Sequence, residues 1–213
     1  MRAKFISFGL IIYLFQPQEF PVSDFTTFVN KSQILIKQAY FAGGCFWCTE
    51  SIFQRVNGVI EVIPGYMGGH IKNPAYREVC NGTTGHTETL KIRYDQKIVS
   101  YGELLEIFFL THDPTTPNRQ GNDVGSQYRS AIFYNNLEEK LQIEDCIDRL
   151  SKEGIFDGSI VTEIHAECPF YEAEIEHKNY YNRNTEQPYC QYIITPKIKK
   201  FKSIFNQHTI KNE

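Results

Sequence analysis

Two groups in this 213-residue chain have both the type and the placement to do covalent chemistry: a cysteine behind paired glycines, and a carboxylate on an apolar strand face. The cysteine sits in Gly43-Gly44-Cys45-Phe46-Trp47-Cys48-Thr49-Glu50. The apolar run Ala39 to Ala42 ahead of it reads as a buried strand, and Phe46, Phe53 and Val56 behind it read as one helix face. Glycine tolerates the backbone angles that such a sharp strand-to-helix turn needs. Cys45 is thus placed at the start of a helix, where unpaired N–H groups and the helix dipole favour an anion. A free thiol titrates near ~8.5, and this setting is expected to lower that value and make Cys45 a nucleophilic thiolate. Taken alone the stretch also fits a buried inert cysteine, a Cys45–Cys48 redox pair, or half of a zinc site. Zinc lacks a second C-x-x-C or C-x-x-H to complete four ligands, and Phe-Trp between the cysteines does not fit the thioredoxin motif.

The carboxylate lies in His86-Thr87-Glu88-Thr89-Leu90-Lys91-Ile92-Arg93-Tyr94, which alternates as a strand. His86, Glu88, Leu90, Ile92 and Tyr94 share the apolar face, and Thr87, Thr89, Lys91 and Arg93 the polar one. Burial without a partner favours the protonated carboxyl, so Glu88 reads as a general acid near neutral pH. The competing reading is a strand end at which Glu88 reaches water or an arginine.

Other elements must carry these two groups. Val59 to Tyr66 reads as a strand, followed by a Gly68-Gly69 loop and a helical turn over Tyr76 to Cys80. Ser100 and Glu103 form a capping box that opens a helix ending near His112-Asp113-Pro114. Thr115 to Gln127 is a long polar loop of the kind that carries function. Tyr128 to Tyr134 reads as a strand, Asn136 caps a helix that Gly154 stops, and Ile160 to Ile164 is a further strand. Residues 170–182 form an aromatic helix or turn, with Cys146 on the apolar side of the preceding helix. Cys190, in a Pro-flanked tail, is expected to be mobile and accessible. The intermixed strands and helices predict an α+β two-layer sandwich with a mixed sheet and a long, loop-rich C-terminal tail. The expected division is a leader and linker over 1–36, a catalytic domain over 37–185, and a tail over 186–213.

Arg2 and Lys4 precede an apolar run, Phe5 to Phe15, of signal-peptide length and too short to span a bilayer. Export is expected if residues 1–20 are a signal; a cytoplasmic protein with an N-terminal extension is the alternative. A net charge of −3 with both signs interspersed gives no reason to expect nucleic acid or a charged membrane as partner. Six cysteines with one close pair do not make a disulfide framework.

Several motifs in order resemble the A-type peptide methionine sulfoxide reductases: Gly44-Cys45-Phe46-Trp47, Gly65-Tyr66-x-Gly68-Gly69, Asn73-Pro74-x-Tyr76-x-Glu78-Val79-Cys80, Gly85-His86-x-Glu88, and Arg119 through Ser130. The resemblance spans about residues 38–200. It implies a ferredoxin-like core and reduction of the S-epimer of methionine sulfoxide, free or protein-bound, by a monomer with no bound cofactor or metal. It implies that Cys45 attacks sulfur, that Glu88 protonates the sulfoxide oxygen, and that Tyr76 and Tyr128 hydrogen-bond it. Phe46 and Trp47 would accept the methyl group, and Asp123 the substrate backbone. The resulting sulfenic acid condenses with a second thiol. The resemblance places that recycling thiol at Cys190, with Cys48 as rival, and thioredoxin (dithiothreitol in vitro) as reductant. Lys178 replaces the usual Gln after His177, a change expected to be neutral. A generic C-x-x-C oxidoreductase and a non-catalytic methionine-binding module are the alternative functions.

Overall fold

In a computed structural model, residues 35–210 are described, all within one compact unit, Ile34–Glu213. The expected leader lies outside the described residues, apart from the end of its linker. A six-stranded sheet runs in the order β7-β6-β1-β3-β2-β8. Its centre is β1 (Ile36–Gly43), β2 (Val59–Met67), β3 (Thr87–Asp95) and, after two short strands, β6 (Ser130–Tyr134). β1 pairs antiparallel with both β3 and β6, and β2 antiparallel with β3. With α1 (Phe46–Phe53) after β1 and α3 (Tyr101–Thr111) after β3, this is the split β-α-β of a ferredoxin-like core. β7 (Glu163–Ala166) adds in parallel at one edge, and β8 (Tyr171–Glu172) antiparallel at the other. The sheet is therefore mixed, as the residue pattern requires.

Helices cover one face. Ala39, Phe41, Leu90, Ile92, Tyr94 and Ile132 point at α1, at α3, at α4 (Leu137–Lys152) and at Phe201 in one continuous core. Burial of this apolar area is the main favourable free energy of the fold. α3 begins where Ser100 Oγ accepts Glu103 N–H (3.2 Å) and Glu103 Oε2 accepts Ser100 N–H (2.7 Å). α4 begins on Asn136, whose Oδ1 accepts Glu139 N–H (3.0 Å).

The opposite sheet face holds Tyr40, Ala42, Met67, Ala131 and Phe133, with Cys168 and Phe170 packed against them. That cover buries Thr87 and Thr89, on the strand face expected to be polar and open. Thr87 Oγ1 donates to Gln127 O (3.0 Å) and Thr89 Oγ1 to Thr87 O (3.1 Å), so neither hydroxyl is left unpaired.

The loop and the tail are more structured than their composition suggests. Within the polar loop, β4 (Arg119–Gln120) and β5 (Asp123–Val124) form a small hairpin turned at Gly121 and Asn122. The tail expected to be loop is helical: a π-turn over Cys190–Ile194 runs into α6 (Thr195–Ile204), which packs on α1 and α3. Among the described residues no helix is long and apolar enough to cross a membrane.

Candidate active site

Antiparallel pairing of Phe41 with Leu90 sets the exit of β1 beside the entry of β3. The chain then turns at Gly44 (φ 87°), where a side chain would also collide with Gln120 Cβ and Cγ. Cys45 becomes the N-cap of α1, and its carbonyl accepts Cys48 N–H (3.1 Å) and Thr49 N–H (3.4 Å). The N–H of Phe46, next to the cysteine, donates to Glu88 Oε2 (2.9 Å). The strand and the helix thus bring the two chemically equipped residues to one point.

Glu88 is 2 % exposed, and burial pushes its carboxyl up to about 8, with Phe46 N–H partly opposing and Asp123 and Cys48 adding to it. The competing reading, a strand end in water, does not hold. Cys45 runs against expectation: its thiol is raised well above the usual value. The first cause is the hydrogen bond with Cys48, then burial at 8 % exposure, then the charges of Cys48 and Glu88, with the Tyr189 hydroxyl opposing. The helix start favours an anion, but its first N–H groups point at Glu88 and at the Cys45 carbonyl rather than at Cys45 sulfur. The lowered thiol is Cys48, drawn down to about 7. Its hydrogen bond with Cys45 is the chief cause; burial opposes it, and Lys197 and the Tyr189 hydroxyl assist.

Cys190 also departs from expectation. It is fully buried in the π-turn, its thiol is raised by burial, and it clusters with Cys45, Cys48, Ile194 and Ile198. Tyr189 before it carries no sequence signal of its own. Its hydroxyl lies 3.6 Å from Cys48 Sγ and donates to Asp123 Oδ2 (3.2 Å). A cleft of about 370 Å³ opens beside it, lined in part by Asp123, Tyr192, Ile193 and Lys197.

Aromatic rings wall the other side. Phe46 packs with Tyr66, Tyr76 and His177, and Trp47 stacks on Tyr180 at 3.7 Å between centroids. Tyr76 hydrogen-bonds Cys80, and burial, with the Glu88 charge adding to it, holds the hydroxyls of Tyr76 and Tyr128 protonated far above the working range. Every residue that the sequence nominated thus converges on one region around α1. Cys146 is buried in the main core and Cys168 borders a separate cleft on the far sheet face.

A buried acid facing a dithiol inside an aromatic wall suits the reduction of a polar S–O group on an apolar side chain. The family model described as peptide methionine sulfoxide reductase matches residues 37–209. The chain belongs to that family. A peptide methionine sulfoxide reductase MsrA of Saccharolobus solfataricus is 52% identical over 167 residues, covering 78% of this chain and 93% of that protein. An MsrA of Acinetobacter baumannii is 49% identical over 177 residues, covering 83% of this chain and all of that protein. Among solved structures, methionine sulfoxide reductase A of Corynebacterium diphtheriae superposes with TM-score 0.62 at 35% identity, over 70% of this chain and 75% of its own. Reduced Mxr1 of Saccharomyces cerevisiae does so with TM-score 0.66 at 31% identity, over 73% of this chain and 89% of its own. As a peptide methionine sulfoxide reductase, the protein is an oxidoreductase that returns the S-epimer of methionine sulfoxide to methionine. Neither a generic disulfide oxidoreductase nor a binding module accounts for that membership.

Proposed function

We propose that Cys45 is the attacking sulfur and Glu88 the acid of this reductase, and that Cys48 both activates Cys45 and resolves the product. The observation that carries the reading is the buried carboxyl of Glu88 held on the N–H of the residue next to Cys45. In the resting pair, Cys48 thiolate accepts the S–H of Cys45 and can take its proton. Cys45 thiolate then attacks the sulfoxide sulfur while Glu88 protonates the oxygen. That attack forms an S–S bond to the substrate. The protonated oxygen then passes to Cys45 sulfur as the S–S bond and the substrate S–O bond break, so methionine leaves and Cys45 is left as sulfenic acid. The hydroxyls of Tyr76 and Tyr128 steady the oxygen during transfer, Phe46 and Trp47 receive the methyl group, and Asp123 takes the substrate backbone once Tyr189 yields it.

Attack of Cys48 on the sulfenic sulfur forms the Cys45–Cys48 disulfide and expels water. The helix N-terminus holds these thiols three residues apart, with Cys45 outside the helical conformation (φ −53°, ψ 120°). That proximity, and the lowered Cys48 thiol, favour Cys48 over Cys190 as first resolver, the reverse of the order the resemblance implies. Cys190, in the same thiol cluster, is placed to receive the disulfide by exchange. A thioredoxin-like dithiol protein would then reduce the enzyme, consuming two electrons for each sulfoxide. Residues 1–20 acting as an export signal complete the proposal, and N-terminal sequencing of the mature protein tests it.

Turnover of dabsylated methionine sulfoxide with dithiothreitol in wild type, Cys45→Ser and Glu88→Gln tests the chemistry. Full activity in Cys45→Ser would end it. Quantifying sulfenic acid after one turnover in Cys48→Ser and Cys190→Ser tests the resolver: accumulation is expected in Cys48→Ser, and accumulation only in Cys190→Ser reverses the assignment.

A further inference from the structure

One buried acid near the site has no part in the chemistry above. Glu50 lies on α1, one turn after Trp47, and is 1 % exposed. Its Oε1 accepts Asn179 N–H (2.7 Å) and its Oε2 accepts Tyr180 N–H (3.3 Å). Asn179 holds a left-handed conformation (φ 54°, ψ 38°), one that Asn tolerates better than most residues. A left-handed residue in a turn directs successive N–H groups to one side, a concavity that fits an anion. Here the anion comes from the facing helix.

The segment caught this way carries the rings that touch the indole. Tyr180 stacks on Trp47 nearly face to face, with 7° between planes. His177 accepts the indole N–H on Nδ1 (3.2 Å) and lies 4.3 Å from the Tyr76 ring. At the other end of the segment, Glu174 accepts the Tyr66 hydroxyl and Tyr76 N–H, each at 2.8 Å. The indole is therefore held from two sides by a stretch that is distant in sequence and whose central anchor is Glu50.

We propose that Glu50 is a positioning residue for substrate, latching the 175–183 segment onto α1 so that Tyr180 and His177 fix the indole wall of the methyl pocket. The inference rests on the reductase reading for its substrate and on geometry alone for its latch. Burial pushes Glu50 up to about 7, while the two N–H groups, Arg183 and Lys178 pull it back toward the charged form. The latch thus brings its own compensating charges on the segment that it holds.

Trp47 is the only tryptophan of the chain, so its emission reports this contact without interference. The test compares wild type, Glu50→Ala, Glu50→Gln and Tyr180→Leu by tryptophan emission and by steady-state kinetics on dabsylated methionine sulfoxide. Glu50→Ala is expected to shift emission to longer wavelength as the indole meets water. KM should rise about tenfold with kcat changed less than about twofold, since wall placement acts on binding. Glu50→Gln, which keeps an oxygen for Asn179 N–H, should recover most of the KM. Tyr180→Leu removes the stack without touching the buried acid, and should reproduce both effects. Combined with Glu50→Ala it should add little, as expected of residues acting through one contact. If Glu50→Ala fails to fold, Glu50→Gln and Tyr180→Leu decide the matter through the same readouts. Wild-type emission and KM in Glu50→Ala, or in Tyr180→Leu should Glu50→Ala not fold, would overturn the latch, as would an equal fall in kcat with KM unchanged. Should wild type show no sulfoxide turnover, the reductase reading fails, and the emission series still decides whether Glu50 seats the indole.

Discussion

Cys48 and Glu88 set opposite demands on pH. The reaction needs one proton gone from the thiol pair and one retained on the carboxyl. Cys48 is drawn down to about 7 and Glu88 pushed up to about 8. The rate should therefore follow a bell, falling below about 7 as the thiolate is lost and above about 8 as the acid ionises. In a pH series of kcat/KM, Glu88→Gln should lose the alkaline limb and fall by about 100-fold or more. Cys48→Ser should instead move the acid limb toward pH ~9, because Cys45 alone lacks the partner that takes its proton, and the overlap with the alkaline limb should lower the maximum. An unchanged acid limb in Cys48→Ser would show that Cys45 ionises without help. Glu88 was readable in the sequence because a carboxylate interrupted an apolar alternation. Glu50 falls four residues after Phe46 and so near the same helix face, but a lone carboxylate in so short a helix is too common a pattern to signal burial. Seven of the eight residues of α1 are in fact buried, which only the covering tail explains. The lowered thiol was misplaced for a related reason. Strand and helix pattern show where Cys45 sits, but not that Glu88 takes the N–H next to it.

At the scale of elements, the site depends on one turn between β1 and α1. Gly44 combines a positive φ of 87° with contact on Gln120, whose amide exchanges hydrogen bonds with Asp113 N–H (3.2 Å) and Asp113 O (3.0 Å). Alanine here would strain the backbone and push away the loop that carries the β4–β5 hairpin. Gly44→Ala should cost about 2–4 kcal/mol in urea denaturation, more than a tolerated glycine replacement, and should lower activity in the folded fraction too. A loss under about 0.5 kcal/mol would show that the turn can relax. The turn, the strand carrying Glu88 and the helix caps at Ser100 and Asn136 were legible, because each rests on local chemistry. The π-turn at Cys190 and α6 were not. Gln187-Pro188-Tyr189 has the composition of a loop, and helix formation there follows from burying Ile194, Ile198 and Phe201 against α1 and α3. Tertiary packing outweighed local preference. Tyr189→Phe tests what that packing brings to the site. Without the hydroxyl beside Cys48 the thiolate loses a donor, so the acid limb should move to higher pH. Asp123 should meanwhile be freed for substrate, lowering KM.

Across the whole molecule, the two buried glutamates make stability depend on pH in a way that surface charge cannot. Each holds its proton more tightly folded than unfolded, with Glu50 at about 7 and Glu88 at about 8 against the ordinary 4.5. The native state then binds more protons than the unfolded chain over that range, so stability falls as pH rises. The penalty is absent below the unfolded value and complete above the folded one. His112 works against it: burial lowers its imidazole to about 4, and the neutral ring bonds Phe108 O (2.6 Å) and Ser130 Oγ (2.8 Å). It contributes stability as pH rises from about 4 to about 6.5, which masks the carboxyl trend in wild type alone. Comparison with a variant removes the mask, since His112 is common to both. Relative to wild type, Glu88→Gln should gain stability steadily from about pH 5 to about pH 8, by at most about 5 kcal/mol, the limit set by the full displacement of a buried carboxyl. Urea midpoints of the two proteins across that interval measure the difference. A constant offset would mean that Glu88 ionises in the folded protein as readily as in the unfolded chain, and the acid required to protonate the sulfoxide oxygen would then be missing at neutral pH.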